Sequence, residues 1–353
     1  MAVNLATKFV DKVAELFAQE SFAGGIASKA YNWDGTEAIK VYSVDTVPFG
    51  NYSRTGTSRY GTPGELGDSV QTMQMTQDKG ATWTIDKGNA KEQLNIKGAN
   101  ESVTRQIKQR LNPMVDSYAF GKWTAGAGYA VAATAAISAS NALALLQDAT
   151  EKADEAAVPE NERFCICSFE FFKFLKQNSN FVYTDKLAQQ ALVKNEMGTL
   201  DGWRVVRVPG TYVPTGIHAL CVAKSAVLAP VKLQDYKIHV DPPGINGNLV
   251  EMRALFDAFV LDAKAKGVIA ICDSGAGRHC AAPTIAANGN ITALGGTVVY
   301  YTLDGSDPRV SGTRLTANAT GVVGNNGDVI TAIAYNASCE VVHSNPVVVK
   351  RTS

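Results

Sequence analysis

The chain has 353 residues, 46% of them hydrophobic, and its 33 basic residues balance 33 acidic ones. This length and composition predict two or three domains, each able to bury a core of its own. A formal net charge of zero excludes a protein that coats nucleic acid by overall electrostatic attraction.

The N-terminus lacks the basic and apolar regions of a secretory signal, and no run of about 18 apolar residues follows anywhere. We therefore expect a soluble protein made in a cytoplasm. Six cysteines without a CxxC motif predict no disulfide framework.

The first predicted elements are an amphipathic helix over residues 4–21 and a strand over residues 38–47. Residues 51–68 (NYSRTGTSRYGTPGELGD) are rich in glycine and carry Arg54 and Arg59, which is typical of a long irregular arm. A phosphate-binding loop is the less favoured alternative, because neither GxxxxGK[ST] nor GxGxxG is present.

A hairpin is predicted next. Met73 and Met75 alternate with polar residues on one strand, Trp83 and Ile85 do so on the other, and Lys79 lies in the loop Asp78-Lys79-Gly80. An isolated hairpin is marginally stable in water, so its apolar face needs cover. The cover comes either from the same domain or from a neighbouring chain, and we favour the neighbouring chain.

A long helix is predicted over residues 100–125, because an apolar residue recurs every four positions, at Val103, Ile107, Leu111 and Val115. Pro113 is expected to kink it, with Asn112 capping a second segment.

From residue 140 to residue 271, predicted helices and strands alternate around one core. Residues 273–283 (DSGAGRHCAAP) read as a linker. Residues 284–353 contain only short β-rich runs separated by turns, which is typical of a small β-sandwich.

No arrangement of residues indicates catalysis or a cofactor. The four histidines are scattered, there is no HExxH or GxSxG motif, and Cys165 and Cys167 are best explained as buried structural thiols. Asp304 and Asp307 are close enough to suggest Ca²⁺, but the spacing of an EF-hand is missing, so a structural turn is favoured. We expect a protein that is not an enzyme and holds no metal.

The order of these elements resembles that of tailed-bacteriophage major capsid proteins with the Hong Kong 97-type fold, an α+β fold. The resemblance is carried by residues 52–63 (YSRTGTSRYGTP), 75–78 (MTQD), 84–89 (TIDKGN), 106–108 with 113–116 (QIK, PMVD) and 255–262 (LFDAFVLD). It implies a shell domain over 1–272: an N-arm at 1–48, an extended loop at 50–97, a spine helix at 100–125, an axial domain at 128–230 and peripheral strands at 231–272.

The resemblance also implies partners and a location. Subunits form pentamers and hexamers that enclose double-stranded DNA in a virion capsid, assembled in the bacterial cytoplasm with a separate scaffolding protein and a portal, and without a membrane. The extended loop lies across the adjacent subunit, and the candidate interface residues are Arg54, Arg59, Met73, Met75, Lys79, Trp83 and Ile85.

The tail, 299–308 (VYYTLDGSDP) with 344–346 (SNP), resembles the immunoglobulin-like module at the C-termini of chitobiases. Its turn motif is Asp304, Gly305, Ser306, Asp307 and Pro308. On a capsid this module is expected on the outer surface, where it either binds glycans weakly or covers seams between subunits. Two alternatives remain open: a secreted carbohydrate-binding or adhesion protein, and an encapsulin-like nanocompartment shell.

Overall fold

The computed structural model describes residues 21–31, 38–44, 51–57, 59–61, 68–86, 99–177, 198–275, 277–294, 297–311, 313–317 and 320–352. The helix predicted over residues 4–21 lies almost wholly outside them. The α-helices of the described part are α1 (Phe22–Ile26), α2 (Ala99–Gln106), α3 (Asn112–Ala125), α4 (Ala142–Glu155) and α5 (Phe169–Gln177). Among these residues, no helix is both long enough and apolar enough to cross a bilayer.

The strands belong to two regions, one before and one after residue 273. The first region contains β1 (Ala38–Val44), β2 (Asp68–Gln74), β3 (Gln77–Asp86), β4 (Tyr129–Ala132), β5 (Arg163–Ser168), β6 (Thr199–Leu200), β7 (Trp203–Val208), β8 (Ile217–Ala223), β9 (Val227–Leu228), β10 (Val231–Val240), β11 (Gly247–Phe256), β12 (Phe259–Val260) and β13 (Val268–Cys272). The second contains β14 (Thr284–Ile285), β15 (Asn290–Thr292), β16 (Val298–Thr302), β17 (Leu315–Ala317), β18 (Thr320–Val322), β19 (Val329–Tyr335) and β20 (Val347–Lys350).

The main core surrounds a mixed six-stranded sheet in the order β4-β13-β8-β5-β7-β6. Every residue of β5 and β13 is buried, as expected for strands whose apolar side chains are covered on both faces. Helices α4 and α5 pack against the sheet, and the second half of α3 adds Phe120 and Trp123 to the same core. Cys165 and Cys167 are fully buried within it, and Cys165 lies opposite Cys221.

The long helix is continuous from Ala99 to Ala125, but a π-helical turn, Ile107–Leu111, joins α2 to α3. The N–H of Asn112 donates to the carbonyl of Ile107, five residues back, and Asn112 has α-helical dihedral angles. The prediction that Asn112 caps a new segment was therefore wrong. Proline cannot donate to the carbonyl four residues before it, and a π turn just upstream places this irregularity within a continuous helix.

The predicted hairpin does not form. β2 pairs with β1, with Tyr42 opposite Val70, whereas β3 pairs with β11 over ten residues. Asp78, Lys79 and Gly80 lie inside β3 and not in a turn. The local turn signal was overridden because pairing with β11, about 170 residues later, satisfies far more backbone groups than a two-stranded hairpin would.

Two sheets form the C-terminal unit, which we define as residues 284–352. Their orders are β14-β15-β18 and β17-β16-β19-β20, and Ile291, Val299, Ile330 and Ala332 form the buried core between them. The segment predicted as a linker is not free of contacts in its described residues. The N–H of Cys280 donates to the carbonyl of Val341, and Arg278 pairs with Asp273 at 3.1 Å.

Candidate assembly elements

The apolar residues predicted to contact a neighbouring subunit are covered by their own chain. Met73 is 1% exposed and packs with Leu228 and Leu261, while Ile85 packs with Val103 and Val250. Met75 is also buried. The prediction that these apolar residues lack cover within their own chain was therefore wrong, because Leu228 and Leu261 cover Met73, and β11 and the long helix cover Ile85.

Trp83 is half-buried between β3 and the long helix. Its indole packs, as Ile107 does, against the cluster that holds Leu111 and Val115, and its Nε1–H donates to the hydroxyl of Ser102 at 3.1 Å. The side chain thus joins the three-stranded sheet β10-β11-β3 to the first half of the helix within one subunit.

Arg54 and Arg59 lie in a short, closed and exposed loop, which we call the tip (residues 51–57 and 59–61). The N–H of Ser53 donates to the carbonyl of Arg59 at 2.9 Å, and Tyr52 and Tyr60 meet edge to face at 5.1 Å. Tyr60 is 92% exposed. The tip therefore presents two arginines and two tyrosines, residue types that are enriched where protein interfaces are strongest.

Residue alternation in β1 and β2 creates a second exposed surface that the sequence analysis missed. One face of this ribbon packs on the body through Val41 and Met73, while Tyr42, Val44 and Val70 on the other face are 64%, 60% and 47% exposed. The alternation is visible in the sequence, but it does not reveal which face is covered. Lys79, the remaining predicted interface residue, is exposed on β3.

Asp257 fixes the base of the extended loop. Its carboxylate is buried and accepts hydrogen bonds from the N–H and hydroxyl of Thr76, both at 2.8 Å, from the Tyr118 hydroxyl at 3.0 Å and from the N–H of Ala258 at 2.7 Å. Thr76 stands between β2 and β3, and Tyr118 is on α3. A single carboxylate thus ties the change of strand direction to the long helix.

A second buried carboxylate, Asp116 on α3, holds the N-terminal segment. It accepts hydrogen bonds from the Ser21 hydroxyl at 2.7 Å and from the N–H groups of Phe22 and Ala23 at 3.0 Å. These N–H groups begin α1 and have no partner within the helix. Burial raises the pKa of Asp116, and the three donors oppose that shift.

The turn motif at residues 304–308 divides its two carboxylates between separate tasks. Asp304 accepts hydrogen bonds from the N–H and hydroxyl of Ser306, which closes the turn at Gly305 with φ +80°. Asp307 instead pairs with Arg309 at 2.7 Å and with Lys266 of the main body at 3.2 Å. Burial raises the pKa of Asp307, but the guanidinium and N–H of Arg309 together with the Lys266 ammonium outweigh it, and the pKa falls to about 2.

Across the described part of the chain, no three metal-ligating side chains are grouped to hold an ion.

Neither a protein-family model nor a curated protein matches this sequence. Solved structures do. The capsid structure of the cyanophage P-SCSP1u matches with a TM-score of 0.63 and 14% identity, over 77% of this chain and 94% of that chain.

The chain has the fold of a phage capsid subunit. The mature capsid of bacteriophage PhiM1 gives a TM-score of 0.60 at 12% identity, over 76% of this chain and 92% of that chain. The head of Helicobacter pylori bacteriophage KHP40 gives 0.60 at 13% identity, over 76% and 96%. The capsid fold thus takes in nearly the whole of these subunits and leaves about a quarter of this chain unmatched.

Proposed function

We propose that this chain is the major capsid protein of a tailed bacteriophage, a structural and non-enzymatic subunit with the Hong Kong 97-type fold. The observation that carries the proposal is that the likeness spans 94% of the cyanophage capsid chain, a whole subunit and not a shared fragment. The subunit assembles in the bacterial cytoplasm and resides in the virion. Zero net charge suits a wall that encloses double-stranded DNA without gripping it.

Pentamers and hexamers follow from contacts in which different surfaces of identical subunits meet and close by rotation. The tip, Lys79 and the outer face of the β1–β2 ribbon supply such a surface, since their arginine, tyrosine and valine side chains are exposed in the isolated chain. We place the neighbouring subunit against them.

Electron microscopy of the purified protein tests the function. Closed icosahedral shells support it, and a soluble monomer that binds chitin would instead favour the secreted carbohydrate-binding alternative. Virions or shells that contain DNA support a phage head, whereas shells that contain a cargo enzyme indicate a nanocompartment.

Charge reversal tests the tip. The double variant Arg54→Glu, Arg59→Glu should remain folded, because both side chains are exposed, yet fail to form shells. Lys173→Glu, an exposed cation on α5, is the matched control and should assemble. Shells formed by the double variant as efficiently as by the control would remove the tip from the interface.

We further propose that 1–272 is the shell domain; the 77% of this chain that the cyanophage capsid matches supports a body of about this length without fixing its bounds. The C-terminal unit is then an immunoglobulin-like module on the outer surface, which binds glycans weakly or covers seams, and a separate scaffolding protein and portal complete the head. A peptide tag at the C-terminus should be reached by gold-labelled antibody on intact shells. A tag reached only after the shells are broken would place the module inside.

A further inference from the structure

The C-terminal unit contacts the edge of the main sheet through the side chain of Asn345. Asn345 accepts a hydrogen bond from the N–H of Ala130 at 2.7 Å, and its own amide donates to the carbonyl of Ala130 at 3.0 Å. Ala130 lies in β4, the edge strand, which pairs in parallel with β13 on its other side. The side-chain amide thus satisfies the N–H and the C=O of Ala130, two groups to which an added strand would otherwise hydrogen-bond.

A second contact is made at Gly128, the residue just before β4. The guanidinium of Arg309 donates to the carbonyl of Gly128 at 3.1 Å, and Asp307 holds that guanidinium through two hydrogen bonds, at 3.0 and 2.7 Å. Arg309 is only 4% exposed. The Lys266 ammonium on the main body reaches Asp307 at 3.2 Å, so the turn motif is anchored from both sides.

The third contact lies at the end of the long helix. The N–H of Val342 donates to the carbonyl of Ala125, the last residue of α3, at 3.3 Å. Carbonyls in the last turn of a helix have no partner within it, so this bond satisfies one of them. The neighbouring Val341 is fully buried and belongs to the core of the main body.

We propose that the C-terminal unit is a docked guard, which closes the β4 edge and the end of the long helix and prevents a second copy of this chain from adding a strand there. A free edge strand offers unpaired N–H and C=O groups to any similar strand nearby. The proposed function brings many copies of this chain close together, so an uncovered β4 edge would pair readily with another copy. The unit is therefore fixed to the subunit and does not hang from a flexible tether.

Amide hydrogen exchange on the full-length chain tests the docking. Asn345→Ala removes both bonds to Ala130, so the amide of Ala130 should exchange roughly tenfold faster, corresponding to about 1.4 kcal/mol for the lost hydrogen bonds. Asn288→Ala is the matched control, because Asn288 is exposed and its side chain accepts only a local hydrogen bond from Asn290. Unchanged exchange in Asn345→Ala would overturn the docking.

The guarding role needs a second readout. Asn345→Ala, and more strongly Asn345→Ala with Arg309→Met, should accumulate several-fold more thioflavin-T-positive aggregate than the Asn288→Ala control, because the freed edge recruits strands. Faster exchange without extra aggregate would overturn the guard while leaving the docking in place. Both measurements concern the subunit, so a failure to form shells would not affect them.

Discussion

Buried carboxylates organise this subunit at the scale of single residues. Asp257 accepts four hydrogen bonds and Asp116 accepts three, and in both cases two of the donors are backbone N–H groups. Such groups are costly to leave unpaired in the interior. Each aspartate therefore fixes one segment, the loop base or the N-terminal segment, to the same helix.

Asp257→Ala should lower the free energy of unfolding by about 3 kcal/mol, because it leaves the N–H groups of Thr76 and Ala258 without their acceptor. Urea denaturation followed by circular dichroism measures the change. Asp78→Ala, which removes an exposed carboxylate paired with Arg253, is the control and should have a much smaller effect. Equal losses in the two variants would contradict the anchoring role of Asp257.

Trp83 should contribute to subunit stability, because its contacts lie within one chain. A double-mutant cycle with Trp83→Phe and Ser102→Ala should give a coupling of about 1 kcal/mol, as expected for the hydrogen bond at 3.1 Å. Additive effects would show that this bond contributes nothing. A large loss of shell assembly by Trp83→Phe at unchanged stability would return Trp83 to the interface.

At the scale of elements, the long helix contacts both the three-stranded sheet and the main core. Its first half carries the β10-β11-β3 sheet through Trp83, and its second half enters the main core through Phe120 and Trp123. Two glycines follow it, Gly126 and Gly128, where the chain turns from the helix into β4. A Cβ on Gly128 would lie 2.3 Å from the carbonyl oxygen of Ala265, so the turn passes directly against backbone.

Gly128→Ala and Gly121→Ala should change stability in opposite directions. The first forces β4 away from the segment Asp262–Gly267 and should destabilise the fold by about 2 kcal/mol or more. The second replaces a helical glycine with open space around it and should stabilise the fold by about 0.5–1 kcal/mol. Thermal melts of the two variants beside the parent protein measure both signs, and two shifts of the same sign would contradict the close approach at Gly128.

At the scale of the whole molecule, the C-terminal unit packs on the main body and contributes Val341 to its buried core. His343 lies at this junction, beside Arg309, Arg314, Asp307 and the ring of Tyr335. Burial above all, together with the two arginines, lowers the pKa of His343 to about 4, against the opposing effect of Asp307. Protonation of this imidazole is therefore unfavourable in the docked state.

The unfolding free energy should fall as the pH is lowered from about 6.5 toward 4. In that window the unfolded chain binds a proton at position 343 that the folded chain does not. Asp116 and Asp262, whose pKa values burial raises, favour the folded state at acid pH, so the contribution of His343 is read as the difference between parent and His343→Phe. His239→Phe, an exposed histidine on β10, is the control. A constant difference between parent and His343→Phe from pH 7 to pH 4 would contradict the prediction.

The sequence by itself determined the features set by local periodicity. Apolar residues four apart fixed the long helix around residues 100–125, the mixture of helices and strands defined an α+β chain, and turn signals with short β-rich runs marked the C-terminal unit. These features are readable because each depends on neighbours within a few residues.

Only the tertiary structure decided which distant segments cover one another. The sequence around Met73, Trp83 and Ile85 predicts apolar faces but says nothing about β11, which lies far along the chain and pairs with β3. Likewise, nothing local to Asp307 or Asn345 indicates Lys266 or Ala130 as partners. Hydrophobic burial is not directional and backbone hydrogen bonds are alike, so a pattern shows that a surface needs a partner, and only the folded chain shows which partner it has.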